Sequence, residues 1–230
     1  MGRVSSRWFQ LSGAAMFAVA LAVAANAMLR AWTAADPLHG GELVRGLAVD
    51  AALFTVFALH HSVQPRAFVR RHVSRWLDSR AERSLYVWLA SLLLITALLA
   101  WVRVGHVLWQ LTGWLQAGAL LLQLAGVGLI AVAARTVGAL ELAGLRPPLT
   151  TQLHVRGPYH RVRHPIYLGF LLVAWCPATM TGDRAWFALL ATLYLALAIP
   201  IEEQTMQRNL GSAYDDYRAR VRWRVIPGIY

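Results

Sequence analysis

The sequence has no lysine, one cysteine and little charge of either sign. Charged residues make up 14% of its 230 positions, against about 25% in a soluble domain. That composition excludes a disordered chain, a collagen and a coiled coil. The single Cys176 rules out an internal disulfide and a cysteine zinc site. It lies inside an apolar run, where packing accounts for it. Acids are the scarcer sign: 11 stand against 22 arginines, a net charge of +11. In a soluble protein this excess would suggest nucleic acid. Here nucleic-acid binding is set aside, because the arginines flank apolar runs and suit anionic lipid headgroups.

Apolar residues are what the chain has in plenty, at 58% before its 17 glycines are added. A water-soluble globule of this size cannot hide so much apolar surface. The expected class is all-α, a polytopic integral membrane helical bundle of about six transmembrane helices. Four spans of 18–21 residues are clear: Trp8–Met28, Leu43–Val63, Leu85–Val102 and Trp114–Ala134. At about 1.5 Å per residue each crosses a hydrocarbon core of about 30 Å. The first reads as a span rather than a cleavable leader, being too long and lacking a clean cleavage site. Two shorter runs, Ile166–Met180 and Ala185–Ile201, read as a short hairpin turned at Thr181-Gly182-Asp183-Arg184, with Pro177 and Pro200 near its helix ends. The expected division is an N-terminal four-helix region, 1–135, and a C-terminal region, 136–230, that carries the chemistry.

Arginine placement orients the bundle. Two arginines before the first span, six after the second, five after the fourth and five in the tail fall on one side; four fall on the other. Six spans with both termini cytoplasmic fit this 18-to-4 split. The polar stretches Arg135–Pro165 and Glu202–Tyr230 then share the cytoplasmic face and flank the hairpin.

The first of these contains Arg156-Gly157-Pro158-Tyr159-His160-Arg161-Val162-Arg163-His164-Pro165-Ile166-Tyr167-Leu168-Gly169. Pro165 suits a first helical turn, where its missing N–H costs nothing. The amides there are expected to be open to an anion. A basic membrane-edge loop with interfacial tyrosines is the plainer reading of the same residues. The second stretch opens with Glu202-Glu203, costly if they face lipid. They either mark the helix end in water or face a cationic ligand. Tyr214 and Tyr217 follow on one helical face. Asp50, in mid-span, needs an internal partner, with Arg45 the nearest candidate. His60 and His61 are adjacent and point to different faces, so no metal site is expected. Trp8, Trp32, Trp101, Trp109 and Trp114 sit near span ends and read as interfacial anchors.

Gly-Pro-Tyr, then Arg-His-Pro-x-Tyr-x-Gly, an apolar hairpin, and Glu-Glu followed by Tyr, Tyr and Pro together resemble the isoprenylcysteine carboxyl methyltransferase and phospholipid methyltransferase-like membrane family over Leu142–Pro227. Leu59-His60-His61-Ser62, Glu141-Leu142-x-Gly144-Leu145-Arg146 and Trp175-x-Pro177 resemble its methanethiol S-methyltransferase branch, related to NnrU-type proteins. The branch has a Gln after the Leu-Arg pair, where this chain has Pro147-Pro148.

The resemblance implies S-adenosyl-L-methionine as methyl donor and a place in a bacterial inner membrane. Carried over by position, it implies cofactor contacts at Thr151, Gln152, Leu153, His154, Tyr159, His164, Pro165, Ile166, Tyr167 and Glu202. The candidates for the base that activates the acceptor are His164, Glu203 and Tyr159, with no choice among them from sequence. The prenylcysteine enzymes carry an Arg one turn before the Glu; here Ala198 stands there. Losing that carboxylate clamp favours a small thiol or a lipophilic substrate, methanethiol to dimethyl sulfide above all. Membrane lipids are the other expected partner. Three alternatives stay open: a non-catalytic NnrU-like factor, a lipid or isoprenylcysteine carboxylate acceptor, and an NADPH-dependent reductase. The last is disfavoured by the lack of an added basic cluster for a 2′-phosphate.

Overall fold

The computed structural model describes residues 4–28, 36–64, 66–143, 145 and 153–230. Five of its helices are long and apolar enough to cross a membrane. The protein is a polytopic membrane helical bundle. The chain divides into two compact units, 1–106 with 140–148, and 107–139 with 149–230.

The first unit holds α1 (Val4–Asn26), α2 (Gly40–Val63), the short α3 (Ala67–Val73) and α4 (Ser79–Leu99). α4 packs against both α1 and α2. Where α1 meets α4, Gly13 lets the Trp88 indole approach, and Trp88 Nε1–H donates to Ser12 Oγ at 3.0 Å. Asp50 is fully buried, and its Oδ1 accepts from the Val102 backbone N–H at 2.8 Å. The partner expected at Arg45 is thus supplied by the backbone of the segment that follows α4. Trp101 is buried too, a core residue rather than the interfacial anchor its position suggested, whereas Trp8 and Trp114 are well exposed. His61 Nδ1 lies 3.0 Å from the Tyr86 hydroxyl, and His60 stacks on the Tyr86 ring. Among the described residues no group of His, Cys, Asp and Glu could hold a metal.

The second unit holds β1 (Val107–Gln110), α5 (Gly113–Val137), α7 (Pro165–Trp175), β2 (Thr179–Thr181), α8 (Gly182–Leu210) and α9 (Ser212–Arg220). A four-residue α6 (Ala139–Leu142) lies where the chain passes between units. α7 runs antiparallel to α5. They pack so closely that a Cβ on Gly126 would sit 2.6 Å from the Gly169 carbonyl, and one on Gly169 would sit 2.6 Å from the Gly126 carbonyl. Small residues at a crossing let membrane helices approach in this way. Gly169, the last residue of the His-Pro-x-Tyr-x-Gly motif, is therefore a packing residue. Gln123 Nε2 donates to the Val173 carbonyl at 3.0 Å, tying the same two helices.

The expected hairpin differs in both arms. Its first helix ends at Trp175, ahead of Pro177, rather than at Met180. The chain continues extended as β2 and pairs antiparallel with β1, a strand the sequence reading did not anticipate. Eleven helical residues cover only about 16 Å, and the three-residue strand Thr179–Thr181 adds about 10 Å. Backbone groups in this break are satisfied internally, as a low-dielectric setting requires. Leu111 N–H donates to the Ala178 carbonyl at 2.8 Å, and Trp109 Nε1–H donates to the Pro177 carbonyl at 3.3 Å. Thr181 is the N-cap of α8 rather than part of a tight turn, its Oγ1 accepting from Arg184 N–H at 3.4 Å. α8 also runs straight through Pro200, expected to lie near its end, and reaches Leu210. Helices in lipid tolerate a proline where neighbours cover the freed carbonyl. Gly211, at φ +56°, then turns the chain into α9.

Candidate active site

The site lies where α7 begins and α8 leaves its apolar stretch. The loop before α7 is shaped by Gly157 at φ +59°, a left-handed residue, followed by a 3₁₀ turn over Gly157–His160. Pro165 occupies the first helical turn as expected, and is almost completely buried. Two of the amides in the first turn, and that of the N-cap His164, are already taken. Tyr167 and Leu168 N–H both turn back on the His164 carbonyl, at 3.1 and 3.2 Å, and His164 N–H donates to the Arg224 carbonyl at 2.8 Å.

The two adjacent glutamates have opposite surroundings. The Glu203 side chain is 6% exposed, and that of Glu202 is 40% exposed. Glu203 Oε1 accepts from Arg163 Nε at 2.7 Å and faces His164 Nε2 at 3.3 Å; its Oε2 accepts from Arg224 Nε at 3.1 Å. Arg163 also donates through Nη1 to the carbonyls of Val221 and Arg222, both at 2.8 Å. Its own backbone N–H donates to the Trp223 carbonyl at 2.9 Å. The tail after α9 is thus wrapped around one buried guanidinium, which is anchored in turn on Glu203. A charge this buried is tolerated because nearly every lone pair and N–H nearby has a partner.

Glu202 looks the other way. Its Oε2 accepts from the Tyr167 hydroxyl at 2.8 Å and lies 3.9 Å from His164 Nδ1. The His164 and Tyr167 rings stack at 5.3 Å, 6° from parallel. His164 therefore has one ring nitrogen towards each glutamate. Tyr167 also packs with Tyr194 against the buried Leu195, Ile199 and Val225.

Tyr159 enters from the 3₁₀ turn. Its carbonyl accepts from the Tyr217 hydroxyl at 2.8 Å. Burial above all, then the negative Glu202 and the neighbouring Tyr217, push its phenol well above the ordinary tyrosine range. It stays protonated and is a donor. Burial and the nearby Glu203 carboxylate push Tyr217 up to about 12, against the opposing pull of Arg163. Tyr214 and Tyr217, expected on one face of the helix, both form its buried side, with Val221 and the partly buried Leu153.

The structure thus brings Tyr159, His164, Pro165, Tyr167, Glu202 and Glu203 together, with Leu153 held against α9. Ile166 is half-buried in the first turn of α7, and His154 half-buried in the loop before the 3₁₀ turn. Thr151 and Gln152 lie outside the described residues. Sequence reasoning did not single out Arg224 or Tyr217 as holding the site. Arg224 was one tail arginine among five, and only the chain reversal that places it on Glu203 distinguishes it.

A phospholipid methyltransferase family model matches residues 114–213. The chain is 32% identical over 195 residues to methanethiol S-methyltransferase 2 of Bradyrhizobium diazoefficiens, covering 81% of this chain and 74% of that protein. It is 35% identical over 189 residues to the methanethiol S-methyltransferase of Mycobacterium tuberculosis, covering 77% of each. It is 29% identical over 201 residues to nurim of Rattus norvegicus, covering 76% of this chain and 73% of that protein. No solved structure matches the chain.

Proposed function

The chain belongs to the membrane methyltransferase family that contains the methanethiol S-methyltransferases, and from that premise we propose that it methylates a small thiol, methanethiol to dimethyl sulfide, with S-adenosyl-L-methionine as donor. The observation that carries the reading is the contrast at Glu202 and Glu203. One carboxylate is consumed by the buried Arg163 and the partly exposed Arg224, while the next is half-exposed beside two aromatic rings.

The donor set fits the cofactor. Glu202 can accept from an ammonium or a ribose diol, and the Tyr159 and Tyr167 faces suit adenine or a sulfonium. Thr151, Gln152, Leu153, His154, Pro165 and Ile166 complete the proposed cofactor wall. Bound there, S-adenosylmethionine supplies an electrophilic methyl group.

The chain's own residues divide the remaining work. Tyr167 holds Glu202 in place. Arg163 and Arg224 fix Glu203, which in turn orients the His164 imidazole. Glu203 is so heavily paired that it serves as a positioning residue rather than the base. Tyr159, kept protonated, donates a hydrogen bond. His164, with Nε2 held by Glu203 at 3.3 Å and Nδ1 turned toward the half-exposed Glu202, is the group we assign to take the thiol proton. Ala198 lies one turn before Glu202 on the same helix face, so the acceptor side there offers only apolar contact. A small neutral thiol needs nothing more. We place this site within residues 136–230 on the arginine-rich, cytoplasmic face of a bacterial inner membrane.

Purified protein supplied with S-adenosylmethionine and methanethiol should release dimethyl sulfide into the headspace, and should not methylate a farnesylcysteine analogue. Activity on the prenylated acid with none on the thiol would overturn the reading.

A further inference from the structure

We propose that the cleft between the end of α8 and α9 binds the phosphate of an anionic glycerophospholipid, whose acyl chains lie along α8. The cleft, about 280 Å³, is lined by Gln204, Gln207, Arg208, Arg218 and Arg224, with Glu203 in its wall. It lies on the far side of Glu203 from the Tyr167–Glu202 pair; Glu203 and Arg224 are shared with the site above, while Gln204, Gln207, Arg208 and Arg218 have no part in the thiol methylation.

Charge decides the ligand class. Three guanidiniums border the cleft, and the Glu203 in its wall is already committed to Arg163, Arg224 and His164. Arg218 reaches only Asp215, at 4.0 Å between two well-exposed side chains. No ion pair to Arg208 occurs among the described residues, and it is an exposed residue of the cleft's lining. The cleft therefore offers unspent positive charge and the Gln204 amide, suited to a phosphodiester, while Gln207 Nε2 is already given to Asp215 Oδ2 at 2.7 Å. The carboxylate beside the cleft, Asp215, is engaged by Gln207 Nε2 at 2.7 Å and faces Arg218 at 4.0 Å, which sets it against the cleft's own donors rather than against a choline or ethanolamine ammonium. That favours a headgroup with net negative charge over a zwitterionic one.

Helix geometry supplies the second half of the site. Leu189, Leu193 and Leu197 recur every four residues and are 40%, 54% and 71% exposed, a range that Leu120, Leu121 and Leu124 of α5 share at 53%, 66% and 57%; what sets the α8 stripe apart is the polar end it leads to. At about 100° per residue they fall on the face that carries Gln204 and Arg208, about two and three turns further on. One stripe of α8 is thus lipophilic along its length and cationic at its end, matching a phospholipid's chains and phosphate. Arg224 links this stripe to the tail, because its Nη1 donates to the Tyr230 hydroxyl at 3.0 Å while its Nε holds Glu203. A phosphate in the cleft would brace α8, α9 and the tail together.

The test uses full-length protein in neutral detergent, with no thiol or methyl donor, so it stands or falls apart from the proposed reaction. Thermal unfolding and native mass spectrometry would follow titration with phosphatidylglycerol, with phosphatidylcholine of the same chains, and with inorganic phosphate. Phosphatidylglycerol should bind and raise the unfolding midpoint, and the other two should not. Arg208→Gln and Arg218→Gln should each weaken the lipid about fivefold, and the pair roughly 25-fold, with Arg208→Lys close to the parent. Leu193→Asn should weaken the lipid while leaving both arginines in place, and so tests the stripe even if the double variant fails to fold. Equal binding of phosphatidylcholine would overturn the proposal. So would stabilisation by inorganic phosphate alone, which would assign the cleft to the free ion. Unchanged phosphatidylglycerol binding by the double variant or by Leu193→Asn would overturn it as well.

Discussion

The two ends of the α5–α7–α8 unit are built on opposite plans. At the β1–β2 end, polar groups are used up in closing a helix break: Thr181 caps α8, Trp109 holds the Pro177 carbonyl, and Trp175 donates to Thr192 at 2.9 Å. The cavity there, about 570 Å³, is lined by Trp109, Trp114, Trp175 and Cys176 among apolar neighbours, with no ionisable group but the thiol. At the α7 start, the same helices end in a buried ion-pair knot beside a half-exposed carboxylate. Polarity at the first end completes the fold, and polarity at the second exceeds what the fold needs. That surplus, centred on Glu202, separates a candidate site from a structural joint.

The comparison predicts unequal sensitivity. Arg163→Ala should have the largest effect, because it leaves Glu203 buried against a lost partner and frees the tail. Removing one member of a buried pair costs about 3–5 kcal/mol. A drop in unfolding midpoint, with proteolysis after α9, would register it; an unmoved midpoint would mean the knot is not holding the tail. Gly169→Val should follow, at about 1–3 kcal/mol or more. Its side chain would enter space 2.6 Å from the Gly126 carbonyl and 2.8 Å from Ile130 Cγ1. Circular dichroism on heating reads that loss directly. Tyr217→Phe and Trp175→Phe each delete one hydrogen bond, worth about 0.5–1.5 kcal/mol, at opposite ends. Only Tyr217→Phe should weaken cofactor binding, through Tyr159. It should also alter alkaline behaviour. A phenol neutral in the fold up to about 12 makes no difference below the unfolded value near 10, and destabilises as pH rises between the two. Tyr217→Phe should therefore flatten the fall in stability across that window.

Much of this was legible in the sequence, and the limits have physical causes. Span length and hydropathy mark α1, α2, α4 and α5, because a 30 Å core imposes its length on any helix that crosses it. The site residues near α7 and α8 stand out because charge and histidine are rare beside apolar runs. Hydropathy reads β2 as helix, since an extended stretch and a helix of similar composition look alike over fifteen residues. It reads Pro200 as an end because it carries no information about neighbours that cover a freed carbonyl. The division of labour between Glu202 and Glu203 was also out of reach. Adjacent residues differ by about 100° around the helix. Which of them meets Arg163 depends on the tail folding back, a contact between residues 40 positions apart.

The central claim is that Glu202, and not its neighbour, faces the methyl donor. Calorimetric titration of S-adenosylhomocysteine into the protein in lipid nanodiscs tests it most directly, comparing the parent with Glu202→Gln at matched thermal stability. One saturable site is expected in the parent, with affinity lowered roughly tenfold to hundredfold in the variant and no binding of NADPH in either. Equal affinity in parent and variant, or no binding by the parent, would contradict the account.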